Sequence, residues 1–113
     1  MVKAGSLRKR YIAFEFQGPQ LDEEPLKRAL YAEALAFFGE LGLSSAALKL
    51  IGYDRNSRRG IVRCERDYQD KVLGFLALLN SLGGSEARFK ALKSSGTLKS
   101  IAEELQLSFT QSK

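Results

Sequence analysis

The sequence contains no histidine, no tryptophan and a single cysteine, Cys64, among its 113 residues. Without histidine the chain cannot form a Ser–His or Cys–His nucleophile pair. One cysteine allows no disulfide within the chain, and a structural zinc site needs about four Cys or His ligands. A carboxylate-only magnesium site stays open, although no acidic pair stands in a recognisable cleft motif. The composition therefore predicts a chain with no catalytic residues of its own and no bound cofactor.

Long hydrophobic runs are also missing. No apolar stretch approaches the ~20 residues that span a bilayer, and the basic N-terminus has no apolar segment behind it of the kind that marks a secretory signal. We therefore expect no membrane association and a cytoplasmic location. The length fits one domain over residues 1–113. We expect its termini, residues 1–6 and 108–113, to be flexible.

The charge is unevenly distributed along the chain, which has 18 basic and 13 acidic residues and a net charge of +5. Residues 20–40 hold five acids and two bases, whereas residues 53–66 hold five arginines and two acids. Residues 84–101 hold four basic residues and one acid. One basic side on a small polar domain is a footprint of nucleic-acid binding, but it is also common in proteins that bind no nucleic acid.

Alternating apolar residues predict four strands, over residues 8–18, 44–54, 57–66 and 85–96. Aromatic and β-branched residues support the first of them. The second and third are separated by a short polar loop, so we expect them to form an antiparallel hairpin.

Helical periodicity predicts three helices, over residues 21–42, 67–84 and 97–106. The expected N-caps of the three helices are Asp22, Asp67 and Thr97. Gly42 is the expected C-cap of the first helix. The resulting order is β-α-β-β-α-β with an additional C-terminal helix. This order predicts an α+β fold of the ferredoxin-like or RRM-like kind, with a four-stranded antiparallel sheet.

Several functions share this fold. An RNA-recognition motif stacks bases on aromatic residues of its central strands. The third predicted strand starts with Arg59 and Gly60, like that motif's signature, but lacks its aromatics, and the aromatics of the first strand fit the core. An acylphosphatase-like enzyme or an amino-acid-sensing domain would need a glycine-rich loop after the first strand. Residues 17–20 read Gln-Gly-Pro-Gln, so neither is favoured.

Three blocks resemble one family in the expected order: RYIAFEF at 10–16, RRGIVRCERDY at 58–68 and FKALKSSGTLKSI at 89–101. The family is component 2 of archaeal ribonuclease P, whose eukaryotic counterpart is shared by ribonucleases P and MRP. The resemblance covers roughly residues 7–106. The alternative is a stand-alone RNA-binding or ribosome-associated protein of the same fold.

The resemblance implies a noncatalytic subunit of an RNA-based endoribonuclease that removes the 5′ leader from precursor tRNA. The ribonuclease P RNA would be the catalyst and would hold the Mg²⁺ ions. The chain would pair with protein component 3, a TIM-barrel-like subunit, in a two-plus-two assembly, and would meet precursor tRNA indirectly. The family's extra helices would cover the sheet face that an RNA-recognition motif uses.

Two sets of residues are candidate contact sites. Basic residues and a small Ser-Gly-Thr segment can contact RNA phosphates through charge-assisted and backbone hydrogen bonds. The RNA-binding candidates are Lys9, Arg10, Arg55, Arg58, Arg59, Arg63, Arg88, Lys90, Lys93, Ser95, Gly96, Thr97 and Lys99. The apolar surplus of the first two helices supplies protein-interface candidates. These are Phe37, Phe38, Leu41, Leu43, Leu73 and Leu78.

Each candidate set also has a purely structural explanation. The arginines near residues 55–59 could be a solvated hairpin tip, and Ser95 to Thr97 could simply cap a helix. Arg63 could form an ion pair with Glu15 or Glu65 across the sheet. A helix packed on both sides would account for the apolar surplus.

Overall fold

The structure is a computed structural model that describes residues 9–104, with side chains up to residue 101. The predicted flexible termini, residues 1–6 and 108–113, lie outside this range. The elements in chain order are β1 (Lys9–Gln17), α1 (Glu23–Ala46), β2 (Lys49–Asp54), β3 (Arg59–Glu65), a 3₁₀ turn (Arg66–Tyr68), α2 (Gln69–Leu78), β4 (Ser81–Leu82), β5 (Ser85–Glu86), β6 (Arg88–Ser95) and α3 (Leu98–Glu104).

The main sheet has four antiparallel strands in the order β2-β3-β1-β6. This arrangement confirms the predicted ferredoxin-like fold, with its β-α-β-β-α-β order and additional C-terminal helix. The predicted hairpin between β2 and β3 is also confirmed, with a four-residue turn at residues 55–58. None of the helices in residues 9–104 has both the length and the apolarity to cross a membrane.

The main core lies between one face of the sheet and helices α1 and α2. Ile12, Phe14 and Phe16 of β1 are fully buried there, as the alternation of the sequence predicts. The rings of Phe14 and Phe16 each pack against Phe89 with centroids 5.1 Å apart. Helix α1 contributes Leu26, Leu30 and Ala34, and helix α2 contributes Val72, Phe75 and Leu76.

A smaller core lies on the opposite face of the sheet, under α3. Ile101 of α3 packs against Ala13 of β1 and Ile61 of β3, and all three are fully buried. Tyr11, Ile51, Leu92 and Leu98 pack around them. The C-terminal helix therefore covers the middle of the face on which an RNA-recognition motif stacks bases, as the resemblance implies.

Gly60 lies where the backbone of β3 passes the main core. A Cβ atom at this position would stand 2.6 Å from Cζ of Phe14 and 2.7 Å from the carbonyl oxygen of Gly52. The Arg59-Gly60 start of the strand is therefore explained by packing, because only glycine leaves room for the aromatic ring.

The predicted end of the first helix at Gly42 is wrong. Helix α1 breaks at Gly39, whose φ of 76° and ψ of 170° are not helical, and then continues to Ala46. It ends at Ala47, which adopts the left-handed conformation and donates its N–H to the carbonyl oxygens of Leu43 and Ser44. Strand β2 accordingly starts at Lys49, five residues later than predicted.

The second predicted helix is also too long. Helix α2 ends at Leu78, and residues 81–86 form a small hairpin of β4 and β5 instead. Gly83 and Gly84 have positive φ angles of 59° and 88°, which suit a tight hairpin turn. The predicted N-cap Asp67 lies inside the 3₁₀ turn that precedes α2.

The boundary and facing of the last strand also differ from the prediction. Strand β6 starts at Arg88, three residues later than predicted. The alternation of the sequence predicts Ala87, Phe89 and Ala91 on the core side, but Ala91 is exposed. Ala87 and Phe89 are buried as predicted. Ala91 misses the core because β6 is an edge strand whose pairing with β1 shifts register nearby.

Candidate nucleic-acid interface

The sheet face that carries α3 also presents charged side chains on both sides of the helix, and we call it the charged face. One row crosses all four strands: Asp54, Arg59, Glu15 and Lys90 are neighbours in the pairing register. Arg88 lies at the end of the same face, opposite Gln17. No ion pair within the described residues involves Arg59, Lys90 or Arg88.

A second row lies beyond α3. Lys49 of β2 pairs in register with Arg63 of β3, which in turn pairs with Tyr11 of β1. Arg63 is half-buried and Lys49 is exposed. We call these two cations the Lys49–Arg63 pair.

The expected partners of Arg63 lie beside other cations. Glu65 forms an ion pair with Lys9, at 2.6 Å between its Oε2 and Nζ of Lys9. Glu15 pairs in register with Arg59, four residues away along β3. The predicted ion pair of Arg63 with Glu15 or Glu65 is therefore wrong.

Two of the predicted phosphate-binding arginines have internal partners. Arg58 donates from Nη1 to the carbonyl oxygen of Gly18 (3.0 Å) and from Nη2 to Oε1 of Gln20 (2.7 Å). Nη1 of Arg55 donates to Oδ1 of Asp22 at 2.9 Å. Both contacts join the β2–β3 turn to the loop after β1. The arginine-rich turn is therefore tied to the protein itself, and is not a purely solvated tip.

Asp22 stands at the N-cap position of α1 as predicted, but its carboxylate does not cap the helix. The carboxylate accepts the hydrogen bond from Arg55 instead. The backbone carbonyl of Asp22 still accepts the first helical hydrogen bond, from the N–H of Leu26 at 3.1 Å.

Arg10 and the Ser-Gly-Thr segment come together at one end of the sheet. Nε of Arg10 donates to Oε1 of Gln69 at 2.7 Å. A Cβ on Gly96 would stand 3.2 Å from Nη1 of Arg10, so the guanidinium passes close to this segment. Oγ of Ser95 accepts from the N–H of Thr97.

Thr97 caps α3, as predicted, because its Oγ1 accepts the N–H of Ser100 at 3.3 Å. Capping therefore accounts for the conformation of the segment. Lys93 and Lys99 are exposed on either side of it. Contact of this segment with phosphate stays a prediction.

Cys64 has no reactive character. Burial, with a smaller contribution from the charge of Glu65, raises the pKa of its thiol from 9.0 to about 11. Its side chain is fully buried in the main core, as expected for a small apolar residue. In the part of the chain described, no cluster of three or more acidic, cysteine or histidine residues could hold a metal ion.

The predicted protein-interface residues divide into two groups. Phe37, Leu41 and Leu78 are 50%, 85% and 71% exposed. By contrast, Phe38, Leu43 and Leu73 are partly buried, because they pack against the main core. A cleft of about 250 Å³ brings Phe37 and Leu78 together over Phe75.

Two residues outside the predicted sets are also exposed. Leu35 is 45% exposed. It lies off the four-residue spacing of Leu26, Leu30 and Ala34, which are the buried stripe of the same helix. Lys49 belongs to the charged face because the β2–β3 register shifts by one residue between Leu50 and Gly52. The β-bulge turns Leu50 into the core and Lys49 onto the face of Arg63.

Comparisons with known proteins agree on one family. A model described as the Rpp14/Pop5 family matches residues 10–106. Ribonuclease P protein component 2 of Archaeoglobus fulgidus is 42% identical over 93 residues, which cover 81% of this chain and 83% of the relative. The protein of the same name from Pyrococcus furiosus is 34% identical over 103 residues, covering 90% and 86%.

A solved structure shows the same fold at much lower identity. A chain in the cryo-EM structure of yeast ribonuclease MRP superposes with a TM-score of 0.66 at 14% identity, covering 88% of this chain and 92% of that one. The family model spans β1 to α3 and therefore includes both charged rows and the apolar cleft. The chain belongs to the Rpp14/Pop5 family, and its curated relatives are ribonuclease P protein components.

Proposed function

We propose that this chain is a noncatalytic protein subunit of ribonuclease P, which supports the catalytic RNA as it removes the 5′ leader from precursor tRNA. The carrying observation is the family match over residues 10–106, together with relatives named ribonuclease P protein component 2. The RNA subunit would carry out the chemistry and hold the Mg²⁺ ions. The site of action would be the cytoplasm.

The charged face supports a role in RNA binding. It carries Arg59, Arg63, Arg88 and Lys90, which have no ion pair within residues 9–104. Cations of this kind contact phosphates and so give affinity and position rather than sequence reading. A subunit whose RNA partner performs recognition and catalysis needs contacts of this type.

The apolar cleft supports pairing with another protein. Phe37 and Leu78 are exposed apolar side chains that line the cleft between α1 and α2, and Leu41 is a further exposed leucine of α1. Such surfaces are typical of protein interfaces. We assign this surface to contact within a ribonuclease P assembly, with protein component 3 in a two-plus-two arrangement.

A native pull-down tests the proposal. The tagged chain is recovered from its source cells, the bound RNA is sequenced and the bound proteins are identified. We expect ribonuclease P RNA and a TIM-barrel-like protein. Recovery of ribosomal RNA instead would support a stand-alone ribosome-associated protein and overturn the proposal.

An omission experiment then tests the activity. Ribonuclease P is reconstituted from its RNA and its protein subunits, with and without this chain, and 5′ leader cleavage of precursor tRNA is followed at limiting Mg²⁺. We expect slower cleavage without the chain. A Leu78→Lys variant keeps the fold, since this side chain is mostly exposed, but should lose association with the protein partner.

A further inference from the structure

Arg63 combines a buried donor with an unpaired charge. Its Nε atom is buried and has no hydrogen-bond partner. The residue as a whole is only half-buried, and its Nε is the one side-chain polar atom of the described residues that is buried without a partner. No described carboxylate forms an ion pair with it. A partly desolvated cation without a partner is costly, so its position calls for an acceptor that the described residues do not supply.

The neighbours of Arg63 increase its need for a negatively charged acceptor. Across β2, the residue directly opposite is Lys49, a second cation. Like charges directly opposite on adjacent strands destabilise a sheet, and their Cα atoms lie only about 5 Å apart. Across β1, the neighbour is the uncharged Tyr11.

Arg59, on the same strand and face, has the opposite surroundings. It is flanked in register by two acids, Asp54 and Glu15. The positive charge of Arg59 is therefore partly offset within the protein, although no close ion pair forms. The contrast singles out the Lys49–Arg63 pair as the place in the described strands where two cations face each other in register.

We propose that the Lys49–Arg63 pair binds a phosphate group of an RNA backbone. The guanidinium fork of Arg63 would donate to two phosphate oxygens, and the ammonium of Lys49 would act as a point charge beside it. Phosphate is favoured over a carboxylate of a protein partner because Arg88 and Lys90 lie unpaired on the same face. A polyanion reaches several such cations at once, whereas a single carboxylate reaches one. This inference rests on the proposed function.

The test compares the salt dependence of RNA binding among matched variants. Binding of labelled ribonuclease P RNA is measured by fluorescence anisotropy between about 50 and 300 mM salt. The variants are Arg63→Met and Lys49→Met, with Arg28→Met as the control. Arg28 also carries one positive charge, but it lies on α1, pairs with Glu24 and is highly exposed.

We expect Arg63→Met to weaken binding about tenfold or more at low salt and to reduce the slope of log K against log[salt] by about 0.7–0.9, the value of one phosphate contact. Lys49→Met should reduce the slope similarly, and Arg28→Met should leave it unchanged. Circular dichroism establishes that the variants are folded. Lys49 is exposed, so its variant remains informative where Arg63→Met does not fold.

Three outcomes would overturn the inference. Equal slopes for the wild type and both site variants would remove the pair from the RNA contact, while RNA binding by the wild type would leave the proposed function standing. Loss of protein association without loss of RNA affinity would assign Arg63 to a partner's carboxylate. Failure of the wild-type chain to bind the RNA at all would instead count against the proposed RNA contact as a whole.

Discussion

Replacing Gly60 with alanine tests whether the Arg-Gly start of β3 is a matter of packing. The added Cβ would stand 2.6 Å from Cζ of Phe14 and 2.7 Å from the carbonyl oxygen of Gly52. Real Cβ atoms do not tolerate such distances, so one neighbour must move. The carbonyl of Gly52 belongs to the backbone of β2, which is paired with β3 around this point.

The ring of Phe14 cannot move freely either. It packs edge-on against Phe89 with centroids 5.1 Å apart and stacks on Tyr53 at 6.2 Å. Overpacking a core of this density costs typically 1–3 kcal/mol. Because both the ring and the strand resist displacement, we expect Gly60→Ala to lower the free energy of unfolding by about 2–3 kcal/mol.

Thermal and urea denaturation followed by circular dichroism measure this loss. At this chain length the change corresponds to a fall in Tm of roughly 8–12 °C. Gly74→Ala is the matched control, because Gly74 lies in α2 with nothing within 4 Å of an added Cβ. That change should be neutral or stabilise by up to about 1 kcal/mol through helix propensity. A loss below about 0.5 kcal/mol for Gly60→Ala would refute the packing argument.

Three further predictions follow from backbone conformation and from burial. Gly39→Ala should cost about 1–3 kcal/mol in urea unfolding despite open space around it, since φ of 76° with ψ of 170° suits glycine alone; an unchanged midpoint would contradict the break in α1. Ala47→Gly should stabilise the fold by about 0.5–1 kcal/mol in the same assay, because Ala47 has φ of 51°, and a loss of stability would contradict this conformation. Cys64 should resist a thiol reagent at pH 8 until urea unfolds the chain, and rapid labelling of the folded chain would contradict its burial. The free energy of unfolding should fall as the pH rises from 9 to about 11, because the thiol ionises in the unfolded chain but not in the folded one.

The sheet and its topology could be predicted from the sequence because the burial pattern repeats every two residues. Ile12, Phe14 and Phe16 alternate with residues of the other face, so one register places all of them in the core. The helix boundaries could not be predicted in the same way. Gly39 and Gly42 both offer a plausible end for α1, yet the helix only breaks at Gly39 and continues to Ala46, because its end depends on tertiary packing that spacing does not encode.

The hairpin at residues 81–86 was missed because its residues continue a helical pattern. Leu79 and Leu82 are both buried, as the pattern requires, but the chain between them is no longer helical. A short apolar run allows helix and strand equally, and only the two glycines at 83 and 84 marked the turn.

The arginines near residues 55–66 look like one cluster in the sequence, but the structure divides them by their surroundings. Arg55 and Arg58 donate hydrogen bonds to the loop after β1. Arg59 and Arg63 instead lie on the charged face, where only Arg63 lacks a neighbouring acid in register. Sequence proximity therefore does not show which of these cations already have a partner within the protein. Strand pairing determines this, because it places Arg59 beside two acids and Arg63 beside another cation.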